Sequence, residues 1–285
     1  MSAFVQREAK RYLRTGEHDE QSPDWPGQNF LERARYSDSA LRESLIAAVR
    51  QRTAHAVAPA ALAGLELVGF TRAKVAPMVQ GLFPAREVQT VLDVLARSVV
   101  FLTPATIEDV LRQMPWLGTA WDLANLYLVS CGAAALSTDA RLIVGLSEET
   151  TCFVTSEYFG AQDRFADFVV HEAAHIFHNC KRRTIGLSGT ARREWLLEIA
   201  YQKRETFAYS CETYSRILEL GKGTAARRDL LQEVEDGPMP PDDRVDPREY
   251  LDILRVAVEA GNGWKRILQR CAAETDQRRH AIADP

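Results

Sequence analysis

The sequence contains little cysteine. Its 285 residues include five cysteines, which are scattered and never form a CxxC pair: Cys131, Cys152, Cys180, Cys211 and Cys271. An odd, dispersed set of thiols argues against a disulfide framework and against a zinc site built from cysteine. A reducing compartment is therefore the expected environment.

The sequence also lacks a long apolar run and an excess of basic residues. Its longest apolar stretch, residues 123–136, carries Asn125 and Ser130, whereas a bilayer span needs about 20 apolar residues. The N-terminus is polar, without the apolar segment of a secretory signal. A net charge of -4 excludes a globally basic nucleic-acid binder. We expect a globular, cytoplasmic protein, in line with 46% hydrophobic and 26% charged residues.

Helical patterns dominate the N-terminal half of the chain. Residues 1–30, broken by Pro23 and Pro26, are expected to form a loose arm. Apolar spacing and capping residues predict the following elements: a helix from residue 37, helices at 71–81, 84–97, 103–112 and 119–131, and a short strand at 98–102.

The pattern changes after residue 136. β-Branched and aromatic residues predict two antiparallel strands, at 141–146 and 151–159. Further predictions are helices at 163–179 and 191–220, an acidic Pro-rich loop at 235–247, and two helices separated near 261–263. The predicted fold is α+β, mainly α-helical, with a small antiparallel β-sheet. Three regions are predicted: a helical N-terminal region (1–135), a core (136–223) and a C-terminal helical region packed on the core (224–285).

Histidine is scarce but clustered. Of six histidines, His171, His175 and His178 fall within one short segment. Residues 171–175 read HEAAH and match HExxH on a predicted helix. Residues four apart share a helix face, so His171 and His175 could bind one zinc ion. Glu172 would project beside the metal and could take a proton from a water held there.

A catalytic zinc ion of this kind needs a third protein ligand. The predicted helix at 191–220 carries several glutamates, and apolar and aromatic residues follow Glu205 closely. A buried carboxylate needs a charge partner, which a metal supplies. Glu205 is therefore favoured as the third ligand, with Glu198 and His178 as alternatives. Glu212 is expected to lie behind the ligands.

These residues resemble the gluzincins, zinc metallopeptidases with HExxH on one helix and a Glu ligand on a following helix. Within that group, residues 151–220 are similar to the ImmA/IrrE-like peptidases, whose distal Glu lies in an ExxA context, as Glu205 and Ala208 do here. The resemblance implies a zincin-like catalytic core in which His171, His175 and Glu205 bind zinc and Glu172 is the general base. No helix-turn-helix module is recognisable in this chain.

A developing oxyanion needs a hydrogen-bond donor. Tyr209, Tyr201 and Tyr158 are candidates, and Tyr209 is retained as a predicted catalytic residue alongside Glu172. The strand at 153–159 could bind an extended peptide by strand addition.

A local basic segment follows the metal-binding helix. Lys181, Arg182 and Arg183 could bind an acidic substrate or nucleic acid, unless they serve only to balance the acidic residues further on.

The sequence as a whole predicts a zinc-dependent metallopeptidase acting on a protein or peptide, with no membrane partner. Two alternatives stay open. One is a non-enzymatic regulatory or interaction protein with a structural metal site, and the other is a zinc hydrolase that acts on a non-peptide bond.

Overall fold

The computed structural model describes residues 2–58, 60–138, 145–160, 163–190 and 193–273. The helices in these ranges are α1 (Ala3–Thr15), α2 (Phe30–Arg52), α3 (Leu67–Leu82), α4 (Ala85–Leu95), α5 (Ile107–Gln113), α6 (Leu117–Ser130), α7 (Phe168–Asn179), α8 (Arg204–Leu220), α9 (Thr224–Glu235), α10 (Pro247–Glu259) and α11 (Gly263–Cys271). The strands are β1 (Val99–Leu102), β2 (Gly145–Glu148) and β3 (Thr151–Thr155). In this described part of the chain, no helix is both long and apolar enough to cross a membrane.

The fold is mainly helical with a small β-sheet, which confirms the predicted class. The strand order is β1-β3-β2, and the sheet is mixed, so the prediction of a wholly antiparallel sheet is wrong. Two residues join β2 to β3, a connection that only an antiparallel pair allows. The parallel pairing is therefore that of β1 with β3. Residues 141–144 of the predicted first strand lie outside the described residues.

The chain divides into two compact units, each built from separate stretches. The first comprises residues 1–63, 101–146 and 155–159, and the second comprises residues 64–100, 147–154 and 160–285. Helices α1, α2, α5 and α6 belong to the first unit, and α3, α4 and α7 to α11 belong to the second.

The first unit begins with a regular helix where a loose arm was predicted. The Ser2 hydroxyl accepts the Val5 N–H and caps α1. Val5, Ala9 and Tyr12 form a buried stripe, and the Tyr12 hydroxyl donates to the Leu117 carbonyl at 2.7 Å. The prediction for residues 1–30 is thus wrong over α1, because apolar residues at helical spacing find a partner in α6.

The core of the second unit lies around α7 and α8. The rings of Phe83 and Phe177 are 5.2 Å apart, and those of Phe177 and Phe207 are 6.5 Å apart. Ala173 and Ala174 are fully buried on α7. This packing sets the HExxH helix directly beside α8, from which the predicted carboxylate ligand comes.

The single long helix predicted at 191–220 is wrong in its first part. Helix α8 begins only at Arg204, and residues 193–200 form bends and isolated β-bridges instead of a helix. The N–H groups of Leu196 and Leu197 donate to the carbonyls of Cys180 and Phe177. These bonds satisfy backbone acceptors at the end of α7 that a helix leaves unpaired. Tertiary hydrogen bonds therefore outweigh the local helical preference.

Candidate metal centre

Helix α7 places the HExxH motif at the centre of the second unit. Asp167 is the N-cap of the helix and accepts the Val170 N–H, which fixes where the helix begins. His171 and His175 follow on one face, one turn apart, and the His171 side chain is only 5% exposed. The spacing of His171 and His175 on α7 therefore directs their two imidazoles toward the same position.

Three ligand atoms converge at that point. The Nε2 atoms of His171 and His175 are 3.2 Å apart. The Oε2 atom of Glu205, from the first turn of α8, is 3.5 Å from His175 Nε2 and 3.8 Å from His171 Nε2. Within the described ranges, no second group of histidine, cysteine or acidic residues is arranged in this way.

The spacing of these atoms suits one metal ion. Ligand atoms about 2.0–2.1 Å from a tetrahedral zinc ion are separated from each other by about 3.3 Å. The separations of 3.2, 3.5 and 3.8 Å lie close to that value. The group formed by His171, His175 and Glu205 could therefore hold a metal ion.

The two alternative third ligands lie elsewhere. Glu198 precedes α8, and its Oε1 accepts the backbone N–H groups of Glu194 and Trp195. His178 contacts the far side of the His175 ring and does not face the point between the three ligand atoms. Glu205 is the carboxylate that the tertiary structure brings to the two histidines.

The charges around Glu205 favour its ionised form. Burial opposes ionisation, but the hydrogen bond and charge of His175, followed by the charges of His171 and Arg244, hold the pKa of Glu205 below its ordinary value. An ionised carboxylate is the form that binds a metal.

A buried charged network supports His171 from behind. Its Nδ1 is 2.9 Å from Oε2 of Glu212, a residue of α8. The other oxygen of Glu212 accepts the Asp167 N–H at 2.7 Å. Lys74 of α3 lies 3.1 Å from the Asp167 carboxylate. With Nδ1 held by a carboxylate, Nε2 is the nitrogen left to face the metal position.

This network makes His171 basic in the absence of metal. Burial lowers the pKa of His171, but the hydrogen bond and charge of Glu212, with the charges of Glu172 and Glu205, outweigh it and raise the pKa to about 9. Metal binding must therefore displace a proton from His171 near neutral pH.

His175 has a neutral partner instead. Its Nδ1 is 3.2 Å from Nε2 of His178, and the two rings are perpendicular. Burial, together with the nearby His175 and Arg204, lowers the pKa of His178 to about 2, so its ring stays neutral. The His178 Nδ1 atom is buried and finds no hydrogen-bond partner among the described residues.

Glu172, the predicted general base, is 4% exposed beside the three ligands. Burial raises its pKa above the ordinary carboxyl value, while the nearby His175 and His171 act in the opposite direction. A carboxylate whose pKa is shifted toward neutrality is suited to take up and release a proton.

The three candidate tyrosines have different surroundings. The Tyr209 ring packs edge-on against His171, with centroids 4.5 Å apart, and burial raises the pKa of its hydroxyl. Tyr201 is 81% exposed just before α8, with the Arg204 guanidinium over its ring. Tyr158 belongs to the first unit and packs against Phe101 there. Tyr209 is therefore the tyrosine placed against a candidate metal ligand.

Two predicted binding surfaces differ from expectation. Strand β3 is the middle strand of the sheet, so neither of its edges is available for strand addition. Within the basic segment, Arg182 is 2% exposed and pairs with Glu87 at 2.8 Å. Lys181 pairs with Glu194, which leaves Arg183 as the exposed residue of the segment.

Sequence reasoning missed three charged residues of this site: Asp167, Lys74 and Arg244. Asp167 carried a usable signal, since an Asp just before an apolar helical run is typical of an N-cap. Lys74 and Arg244 are far from the motif in sequence, and no local pattern marks them.

Comparison of the chain with family models, curated proteins and solved structures gives no match in any of the three.

Proposed function

We propose that the protein is a zinc-dependent metallopeptidase that hydrolyses peptide bonds. The observation that carries this proposal is the convergence of His171, His175 and Glu205 with Glu172 buried beside them. Two imidazoles, one carboxylate and an adjacent carboxyl group are the side chains that such a hydrolase requires.

The charge of the cluster supports a divalent cation. Without a metal ion it contains four carboxylates and three cations: Asp167, Glu172, Glu205 and Glu212 against Lys74, Arg244 and the protonated His171. Uncompensated buried charges are costly, and a bound divalent ion would balance the excess of negative charge. Two histidines and a glutamate favour zinc, because imidazole suits it better than magnesium or calcium.

The protein residues divide the chemistry between them. When bound, zinc supplies a Lewis acid and lowers the pKa of water. Glu172 would take the proton of the attacking water and then deliver it to the leaving amine. The Tyr209 hydroxyl, kept protonated by burial, would donate a hydrogen bond to the oxygen of the scissile carbonyl.

Metal analysis and peptide hydrolysis test this proposal together. We expect the purified protein to bind one zinc ion per chain and to cleave members of a mixed peptide library. Glu172→Gln should abolish cleavage while zinc stays bound. Glu233→Gln is the matched control, since it makes the same change in a residue whose side chain is half exposed and, among the described residues, pairs with Arg164 alone.

Other results would favour the alternatives. A wild-type protein without zinc, or full function in Glu172→Gln, indicates an interaction protein. Bound zinc with no cleavage of any peptide, but with hydrolysis of an ester or amide of another class, indicates a hydrolase of a non-peptide bond.

A further inference from the structure

The candidate ligand Glu205 has a second charged partner, which comes from the acidic, Pro-rich loop between α9 and α10. Nη2 of Arg244 lies 3.1 Å from Oε1 of Glu205. The other carboxylate oxygen, Oε2, is the one that faces His171 and His175. The two oxygens of Glu205 therefore have separate partners.

Asp242 holds Arg244 in place. Its carboxylate accepts hydrogen bonds from Nε and Nη2 of the guanidinium at 2.9 and 2.6 Å. Its Oδ1 also accepts a hydrogen bond from the Arg244 backbone N–H at 2.8 Å. The loop is anchored on both sides of Arg244, because Val245 is buried and Asp246 caps α10. A guanidinium fixed in this way loses little side-chain entropy when it holds another group.

We propose that Arg244 is a positioning residue for the metal ligand Glu205. It binds Oε1 and so presents Oε2 alone to the metal position. This inference rests on the metal site of the proposed function, although it does not depend on which bond the protein hydrolyses.

The need for such a residue follows from the place of Glu205 on α8. The side chain lies in the first turn of the helix and is 15% exposed, so solvent can reach it. Without a partner on Oε1, the carboxylate could rotate away or turn both oxygens toward the metal. The Arg244 charge also favours the ionised carboxylate. Groups that hold metal ligands from behind typically contribute about 10- to 100-fold to metal affinity.

Zinc affinity, measured by chelator competition on the full chain, tests this role directly. We expect Arg244→Gln to weaken zinc binding about 10- to 100-fold. Cobalt substitution should show a changed visible absorption spectrum, since the geometry of one ligand changes. The Arg244 side chain is 68% exposed, so folding should be retained, which circular dichroism checks.

A matched control distinguishes the loss of the Arg244 contact with Glu205 from the loss of one positive charge. Arg248 is an exposed arginine at the start of α10 and forms no ion pair in the described part of the chain. Arg248→Gln should leave zinc affinity within about twofold. Arg244→Lys should restore part of the affinity, because an ammonium group can reach Glu205 but cannot also form the forked contact with Asp242.

Asp242→Asn gives an independent check through the same contact. It should weaken zinc binding less than Arg244→Gln does. The double variant should be no weaker than Arg244→Gln alone, because both substitutions act on one interaction.

The inference is overturned if Arg244→Gln binds zinc as tightly as Arg248→Gln does and the cobalt spectrum stays unchanged. It is also overturned if Arg244→Gln raises only the KM for peptides, because Arg244 would then contact substrate and not Glu205. A wild-type protein that binds zinc but cleaves no peptide contradicts the proposed function alone. A wild-type protein without zinc contradicts both.

Discussion

The two histidines of α7 that face Glu205 have different partners on their outer sides. The Nδ1 atom of His171 contacts the carboxylate of Glu212, which belongs to a buried chain of charges, whereas that of His175 contacts the neutral ring of His178. The cause is position along the helix. His171 lies in the first turn, where Glu212 of α8 can reach it, and His175 lies one turn further on, beside a residue of its own helix.

Because of this difference, we expect His171 and His175 to contribute unequally to zinc binding. A carboxylate partner makes an imidazole more basic and holds it more firmly than a neutral acceptor does. We therefore expect the contact between His171 and Glu212 to determine most of the zinc affinity and its dependence on pH. The contact between His175 and His178 should mainly orient the His175 ring.

The largest effect is expected from Glu212→Ala. It leaves His171 Nδ1 and the Asp167 N–H buried without their acceptor, which should weaken zinc binding about 100-fold and reduce the free energy of unfolding by about 3 kcal/mol. Chelator competition and urea unfolding measure the two quantities. Glu212→Gln, which keeps an oxygen acceptor, should lose less. Equal zinc affinity in Glu212→Ala and wild type would contradict the assigned role of the carboxylate.

The pH dependence of zinc affinity should follow His171. Its pKa of about 9 in the metal-free protein lies above its ordinary value of 6.5, so zinc must displace one proton. Apparent affinity should rise about tenfold per pH unit from pH 7 and level off near pH 9. In the metal-free protein, the stabilisation from the His171 proton is fully present below pH 6.5 and is lost as pH rises through about 9.

Proton NMR of the His171 imidazole in metal-free protein checks this titration. The His178 ring should show no protonation until the pH falls toward about 2. A His171 pKa near 6.5 would remove the contrast between the two histidines.

A smaller effect is expected from His178→Phe. It removes the hydrogen-bond partner of His175 Nδ1 while an aromatic ring still fills the buried site, and zinc binding should weaken about tenfold. His178→Gln can place an oxygen near the position of Nε2 and should recover most of the affinity. The orienting role is excluded if the two variants bind zinc equally, and thermal unfolding monitors any loss of packing.

The smallest effect on zinc is expected from Tyr209→Phe. Its ring packs on His171, and phenylalanine retains that contact, so zinc affinity should stay within about twofold. The rate of peptide cleavage, kcat, should fall about 100-fold if the hydroxyl donates to the scissile carbonyl. Reduced zinc affinity in this variant would mean that the hydroxyl helps to fix His171.

Some helices of this protein could be predicted from local sequence signals, and others could not. The helices at α3, α4, α6, α10 and α11 were predicted because apolar spacing and capping residues are local signals. Helix α9 was not predicted, and the helix predicted to begin near residue 191 begins at Arg204. In that segment the backbone N–H groups of Leu196 and Leu197 donate to carbonyls at the end of α7, and this pairing depends on the rest of the fold.

The candidate site likewise contains residues that local sequence could place and residues that it could not. The arrangement of His171, Glu172 and His175 follows from the periodicity of one helix, so the sequence by itself determined it. Glu205 could be favoured over Glu198, but only the packing of α8 on α7 decided which carboxylate meets the histidines. Arg244 reaches the site from a distant loop. The tertiary structure alone placed it, because through-space contacts between charges leave no periodic mark in the chain.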